Sequence, residues 1–217
     1  MHIIFEGSDG MGKTTVAEMV VDHLKKQSRE VIFCKHPGAT KLGQKLRHLV
    51  KHDDTIEPLS DHVTQMLMLA DYQNFIEHVL NKNPDKIIVS DRCNIISGLI
   101  YSIASDAETE KWLPDLYSNI RFPKADCLFL LWSPFDVARR RMINRGGEKC
   151  KIEGRGEEYL RKVNEAYLNH VGKFGDIVNE THLIHTSYTS TLKGYVDISV
   201  GSIAKQVCDI VDRLLPI

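Results

Sequence analysis

At 217 residues the chain is long enough to bury one sizeable core without disulfides or bound metal. Its composition, 42% hydrophobic, 26% charged and 7% aromatic, excludes a disordered, collagen-like or disulfide-scaffold class. With 28 Lys and Arg against 29 Asp and Glu the formal charge is -1, which leaves no global basic field for duplex DNA or RNA.

No apolar run approaches the roughly 18–20 residues that span a bilayer. The opening Met1-His-Ile-Ile-Phe-Glu-Gly is too short and too soon acidic for a signal peptide. The five cysteines (Cys34, Cys93, Cys127, Cys150, Cys208) are never closer than 23 residues and form no Cys-x-x-Cys pair, as in a reducing compartment. These features predict a cytoplasmic protein with neither a membrane nor a nucleic-acid partner.

In chain order, the pattern predicts a strand at 2–6 and a helix at 14–27, then a strand at 30–35 and a long helix at 59–80. Further strands follow at 86–90 and 126–132, a helix at 134–144, a loop at 145–156 and a helix at 157–174. A last strand at 182–186 precedes a polar surface excursion at 188–198 and a helix at 201–215. The strand runs are near-continuously apolar, as expected of strands buried on both faces, whereas the helical segments repeat apolar residues three and four apart. Strands alternating with helices mean βαβ units and a parallel sheet. No composition shift marks a second domain, so residues 1–217 read as one. The loop carries four glycines, four basic residues and two glutamates in twelve positions, a composition that predicts a segment that is mobile or ordered only by a ligand.

Gly7-Ser8-Asp9-Gly10-Met11-Gly12-Lys13-Thr14 fits G-x-x-x-x-G-K-[ST] directly after the first strand and opens the first helix, the context that marks a phosphate-binding loop. Glycines let backbone amides converge on phosphate oxygens and the helix N-terminus adds partial positive charge. Lys13 reaches the β- and γ-phosphates and the Thr14 hydroxyl suits Mg²⁺. A packing turn without chemistry is the bland alternative. Asp91-Arg92 follows the third strand, where a carboxylate assists Mg²⁺ and an arginine grips phosphate through its fork. Arg139, Arg140 and Arg141 on a helix, with Arg145, Lys149, Lys151 and Arg155 in the loop, supply a basic lid over a site that excludes water. For Arg139 and Arg140 a solvated helix face is an equal reading.

The ordered series resembles the thymidylate kinase family. It runs from Phe5 to Thr15, through Lys35-His36-Pro37-Gly38-Ala39-Thr40, Leu42-Gly43 and Leu46-Arg47, to residues 67–71, Asp91-Arg92, Arg145-Gly146, Lys151-Ile152-Glu153 and Glu158-Tyr159, ending near Tyr167. The resemblance covers roughly 1–185. It implies the P-loop nucleoside monophosphate kinase fold: an α/β protein with a five-stranded parallel sheet, helices on both faces and a basic lid at about 141–156. It implies transfer of the γ-phosphoryl of ATP to a deoxynucleoside monophosphate, a Mg²⁺ cofactor, nucleotides as partners and a homodimer. By the same resemblance Gly7 to Thr15 bind ATP, with Arg141 beside the adenine. Asp9 faces the acceptor's 3′-hydroxyl, Arg92 holds the acceptor phosphate, Arg145 and Lys151 close on the moving group, and Thr14 and Asp91 serve the metal. Gly10, where some members carry arginine, resembles the subgroup whose catalytic cations lie in the lid.

The departures fall on the acceptor side. Asp71-Tyr72 stands where the family shows a carboxylate or amide followed by arginine, and Lys35-His36-Pro37-Gly38-Ala39-Thr40 replaces Arg-Glu-Pro-Gly-Gly-Thr. After Arg92 come Cys93 and Ile96-Ser97-Gly98-Leu99-Ile100, with Tyr101 one place late. Tyr72 donates one hydrogen bond at most, so Lys35 or Arg47 would supply charge; Pro37, Met68 and Ser97 complete the expected acceptor set. The expected acceptor is dTMP; dUMP or a modified pyrimidine deoxynucleotide, or nucleotide binding without turnover, are the alternatives. His48/His52 and His182/His185 lack a third ligand at metal spacing and read as packing or solvated histidines. Met66 and Met68 sit in an apolar helical stripe, and Cys150 carries no assigned role. Residues 59–80 and 95–103 are candidate dimer surfaces.

Overall fold

The computed structural model describes residues 1–105, 122–146, 151–191 and 194–215. Strands β1 (His2–Glu6), β2 (Val31–Lys35), β3 (Ile87–Asp91), β4 (Ala125–Trp132) and β5 (Val178–His185) pair in parallel in the order β2-β3-β1-β4-β5. Helices α1 (Lys13–Lys26), α2 (Lys41–Lys51), α3 (Asp61–Phe75), α4 (Asn94–Ser105), α5 (Phe135–Arg145), α6 (Glu157–His170) and α7 (Val200–Leu214) cover it.

The strands feed two cores because alternate side chains leave a strand on opposite faces. Ile3, Phe5, Val89, Phe129 and Leu131 join Val16, Val20 and Leu24 of α1 and Val207 and Val211 of α7 in one cluster. Ile4, Ile88, Leu128 and Leu130 join Phe75, Ile100 and Tyr167 on the other face. Fully burying each such aliphatic or aromatic side chain contributes about 1.5–3 kcal/mol against conformational entropy. All five β1 residues are buried, which accounts for its unbroken apolar run.

Five parallel strands with helices on both faces agree with the expectation from sequence. Several boundaries differ for local reasons. The edge strand β5 begins at Val178, earlier than expected, because its first half continues through the polar run Asn179, Glu180 and Thr181, which hides it from an apolar pattern. The long third helix starts after the Ser60 cap, whose side chain accepts from Val63 N, and widens into a π turn over Ile76–Leu80. Helix α6 ends at His170 and passes into a 3₁₀ turn, Val171–Lys173. Two helices went unpredicted. Helix α2 does carry an apolar stripe, Leu42, Leu46, Leu49 and Val50, that the sequence reading passed over, and it is capped by Thr40 accepting from Gly43 N at 3.0 Å. Helix α4 carries Ile95, Ile96, Leu99, Ile100 and Ile103 close together and reads from sequence as an apolar segment rather than as a helix. The expected excursion at 188–198 contains an antiparallel hairpin, β6 (Ser187–Ser190) with β7 (Gly194–Asp197). Of the expected lid loop, Lys149 and Cys150 lie outside the described residues; Glu153–Arg155 forms a 3₁₀ turn.

Candidate active site

The phosphate loop turns sharply from β1 into α1, and two glycines allow it. Gly7 has φ +135 and a Cβ there would sit 2.2 Å from the Leu131 carbonyl oxygen. Gly10, with φ +84, would place one 2.6 Å from the Ala138 carbonyl oxygen, so the loop of this chain leaves no room for an arginine at that position. Gly12 caps α1 with no side-chain hydrogen bond, leaving the first amides open to an anion. Ser8 Oγ donates to Asn164 Oδ1 at 2.7 Å, and Asn164 Nδ2 to the Ser133 carbonyl at 3.1 Å, so α6 pins the loop from behind. Met11 is buried beneath it, and Thr15 lines the cleft above. Arg141 Nη1 donates to the Gly10 carbonyl at 3.3 Å and Nη2 to the Thr186 carbonyl at 2.7 Å, bracing the loop against the end of β5.

Lys13 folds back, its Nζ donating to the Ser8 carbonyl at 2.8 Å and lying 3.9 Å from Asp9. Burial, with the nearby Arg92 charge, lowers its ammonium to about 8. Thr14 Oγ1 donates to Asp91 Oδ2 at 2.5 Å, which joins the two sequence-expected Mg²⁺ residues at the start of α1 and the end of β3. Hydroxyl and carboxylate oxygens are the hard donors that Mg²⁺ takes alongside substrate phosphates, so the pair fits that ion.

Arg92 follows β3 with φ +77, an unusual conformation for a residue with a side chain. Its Nη2 donates to Asp9 Oδ1 at 2.5 Å, and its Nη1 donates to the Gly7 carbonyl at 3.2 Å and Tyr167 Oη at 3.3 Å. Beneath it Glu6 is fully buried and accepts from Cys93 N and Ser97 Oγ, both at 2.7 Å, from Tyr167 Oη at 2.8 Å and from Gly7 N at 3.2 Å. Burial alone would raise the Asp9 carboxyl; the Arg92 and Lys13 charges reverse this and hold it well below the usual carboxylate range.

Two clefts meet at this guanidinium. The first encloses about 1300 Å³ and is polar: Lys13, Thr14, Asp91, Arg47, Lys51 and Arg145 are on its wall, with Lys35 at the lip donating to Glu18 at 3.2 Å. The second encloses about 580 Å³ between α3, α4 and the lid turn, with Pro37, Gln65, Met68, Ser97, Tyr101 and Tyr159 around it. Pro37, Met68 and Ser97, three of the residues expected at the acceptor, therefore stand together on one cleft wall. The His36–Pro37 peptide is cis, and Arg47 Nη1 donates to the Pro37 carbonyl at 3.0 Å.

Two expected residues lie elsewhere. Tyr72 is 1% exposed and lines neither cleft; its ring packs with His36, Phe75 and Phe122 and its hydroxyl meets Cys93. One turn beyond Met68, it reaches the core beneath the cleft. Lys151 turns away from the phosphate cleft, donating from Nζ to the Asp53 carbonyl and pairing with Asp54 at 3.4 Å. Lys51, at the end of α2, borders both clefts in its place and accepts the Lys151 amide on its own carbonyl at 3.3 Å. Arg145 Nη2 donates to Glu153 Oε1 at 2.6 Å across the described part of the lid. Arg155 donates to Asp61 Oδ1 at 2.5 Å and lies over the Tyr159 ring at 5.0 Å, tying the lid turn to α3.

Glu6, Lys51, Gln65 and Asn164 were not singled out from sequence. A carboxylate ending an apolar strand was the visible sign for Glu6; the others look like ordinary polar residues on helix faces.

A polar cleft built on a phosphate loop and a less polar one beside it, sharing a single arginine, suit two nucleotides facing each other; the protein is a P-loop kinase of the nucleoside monophosphate class. The family model described as thymidylate kinase matches residues 5–184, and the chain belongs to the thymidylate kinase family. It is 36% identical over 171 residues to the thymidylate kinase of Campylobacter hominis, covering 76% of this chain and 83% of that one. With the Campylobacter curvus thymidylate kinase it shares 33% over 169 residues, 76% and 82% of the two chains. With that of a Sulfurovum species it shares 31% over 202 residues, 89% of this chain and 100% of the other.

Proposed function

We propose that the protein transfers the γ-phosphoryl of ATP to dTMP, giving dTDP and ADP, and that residues 1–217 act as one kinase domain with its lid at about 141–156. The observation that carries this reading is the meeting of the two clefts at Arg92. ATP phosphates would lie on the loop from Gly7 to Thr15, with Lys13 against the β- and γ-phosphates and Arg141 beside the adenine. The acceptor would sit over Pro37, Met68 and Ser97, with its phosphate between Arg92, Arg47 and Lys35 and its sugar hydroxyl at Asp9. Arg145 and Lys151 would close with the lid, Lys151 leaving the Asp53 carbonyl to do so. Phosphoryl transfer asks little covalent chemistry of side chains; holding the two phosphates in line and neutralising the spreading charge supply most of the acceleration. Thr14 and Asp91 would hold Mg²⁺, whose chemistry is to neutralise β- and γ-phosphate charge.

Several features fit the remaining expectations. The four described cysteines are unpaired and buried, as in the reducing cytoplasm. Among the described residues no helix is long and apolar enough to cross a membrane. Val63, Met66 and Ala70 form an exposed apolar stripe on α3, and we assign the homodimer contact to that face. The test is ADP release from Mg·ATP across dTMP, dUMP, dCMP, dGMP, dAMP and thymidine. Preference for dTMP by a wide margin in kcat/KM supports the reading. Preference for dUMP or another pyrimidine nucleotide would mean that losing the arginine at position 72 changed the acceptor, and silence would leave a binding role.

A further inference from the structure

Resting on that reading of the second cleft as the acceptor site, we propose that Gln65 on α3 reads the acceptor base, its Oε1 accepting the imide N3–H of a thymine or uracil. Gln65 is 4% exposed and borders the cleft. Its Nε2 donates to the Gly98 carbonyl of α4 at 3.2 Å. That bond fixes the amide, because the flipped side chain would set oxygen against oxygen. Oε1 is therefore the other end, a buried acceptor without a hydrogen-bond partner among the described residues.

Three neighbouring donors are committed. Asn94 Nδ2 donates to the Met68 carbonyl at 2.9 Å and to Asp71 Oδ2 at 2.7 Å. Arg155 donates to Ser105 Oγ at 3.1 Å and to Asp61. Arg92 is held by Asp9, Gly7 and Tyr167. Buried polar atoms in folded proteins find partners, so an acceptor left over at a cleft wall marks where a ligand brings the donor. Met68 offers an apolar contact for the ring face beside it. A pyrimidine carrying N3–H between two carbonyls presents that donor on its ring edge, the group that the Gln65 Oε1 acceptor lacks.

The experiment compares dTMP with its 3-methyl derivative, which has no N3–H, on the full-length enzyme and its Gln65→Leu and Gln65→Met variants. The wild type is expected to favour dTMP by about 100-fold in kcat/KM, since a site built to hydrogen-bond an N–H rejects the analogue lacking it. Both variants should lose about 10–100-fold on dTMP, mostly in KM, and discriminate by less than about fivefold. KM for Mg·ATP and the melting temperature report whether either variant has lost its fold, and a variant that has is replaced in the comparison by the other. A wild type that turns over dTMP and variants that keep the full discrimination would overturn this inference alone. A wild type that turns over neither nucleotide would overturn it together with the functional reading. Loss of activity toward both nucleotides in equal proportion would assign Gln65 a packing role and also overturn it.

Discussion

Arg92 Nη2 and Asp9 Oδ1 lie 2.5 Å apart, joining the phosphate loop to the end of β3. The same guanidinium is 3.5 Å from buried Glu6, so one arginine answers two carboxylates while bordering both nucleotide clefts. Glu6 has four other donors and Asp9 has Lys13 close by, which lets the fold survive a change that the chemistry does not.

Replacing Arg92 with lysine keeps the charge and removes the fork. Steady-state assays should show kcat down by about 10²–10³-fold with a melting temperature within a few degrees of wild type. Arg92→Ala should in addition destabilise by about 3–5 kcal/mol, because it removes the cation that lies against both Glu6 and Asp9. An Arg92→Lys enzyme with wild-type kcat would remove the arginine from the proposed mechanism.

Burial lowers Lys13 to about 8 in the ligand-free protein. Phosphate binds the charged ammonium, so affinity for Mg·ATP should be flat below pH 8 and fall as pH rises above it, up to tenfold per unit. For stability the sign is opposite. Between pH 8 and the ordinary lysine value the unfolded chain binds the extra proton, so the ligand-free fold gains stability as pH rises through that window. Calorimetric titration and thermal melts from pH 7 to 10, repeated on Lys13→Met, check both; the variant should lose both dependences.

Much of this was legible in the sequence because it is carried by short contiguous signals. The phosphate loop, Asp91-Arg92 and the five apolar runs each announce themselves within ten residues, and strands buried on both faces leave no alternation to misread. What was missed depends on which way a side chain points after the chain has folded. Tyr72 and Met68 are one turn apart on α3, yet only Met68 reaches the cleft, while Tyr72 goes to the core with Phe75. Lys151 turns to Asp53 and Asp54, and Lys51, which the sequence did not single out, borders both clefts instead. Helix α4 hid in its close run of isoleucine and leucine.

The burial of Tyr72 separates stability from acceptor binding. Tyr72→Phe should leave KM for dTMP within about threefold and cost about 1 kcal/mol in thermal or urea melts, the worth of one buried hydrogen bond. Arg47→Ala, at the polar cleft, should do the reverse, raising KM for dTMP by about tenfold or more with little change in melting temperature. A Tyr72→Phe enzyme with a tenfold rise in KM would put the hydroxyl back at the acceptor.

Acid should weaken the fold through two histidines. His2 Nε2 shares Ser90 Oγ with His36 at 2.9 and 3.4 Å, and neither Nδ1 has a hydrogen-bond partner among the described residues. The 4.0 Å from His36 Nδ1 to Asp71 is too long for a hydrogen bond, and burial favours the neutral form of both groups. Burial lowers His2 to about 4 and His36 to about 3. Between the ordinary histidine value and these, the unfolded chain binds more protons, so stability is complete above about pH 6.5 and falls as pH drops toward 4. Each histidine accounts for a few kcal/mol of that fall. Urea melts from pH 7.5 to 4.5 should show the slope, and His2→Phe should roughly halve it; an unchanged slope would assign the acid sensitivity to the carboxylates instead.

Glycines of the phosphate loop should divide by geometry. Gly7→Ala drives a methyl to 2.2 Å from the Leu131 carbonyl in a conformation alanine rarely adopts, and β4 cannot yield without breaking its pairing with β1. That variant should lose more than about 3 kcal/mol and accumulate poorly as folded protein. Gly12 has φ +81 and open space around its missing side chain. Gly12→Ala meets only the backbone cost, about 1–2 kcal/mol, so it should fold with a melting temperature lowered by several degrees. Its KM for Mg·ATP should rise more than its stability falls, because the amides after Gly12 are the ones an incoming phosphate must reach. Thermal melts beside nucleotide titrations measure the two effects separately, and equal destabilisation by the two substitutions would mean that the Leu131 contact does not constrain the loop.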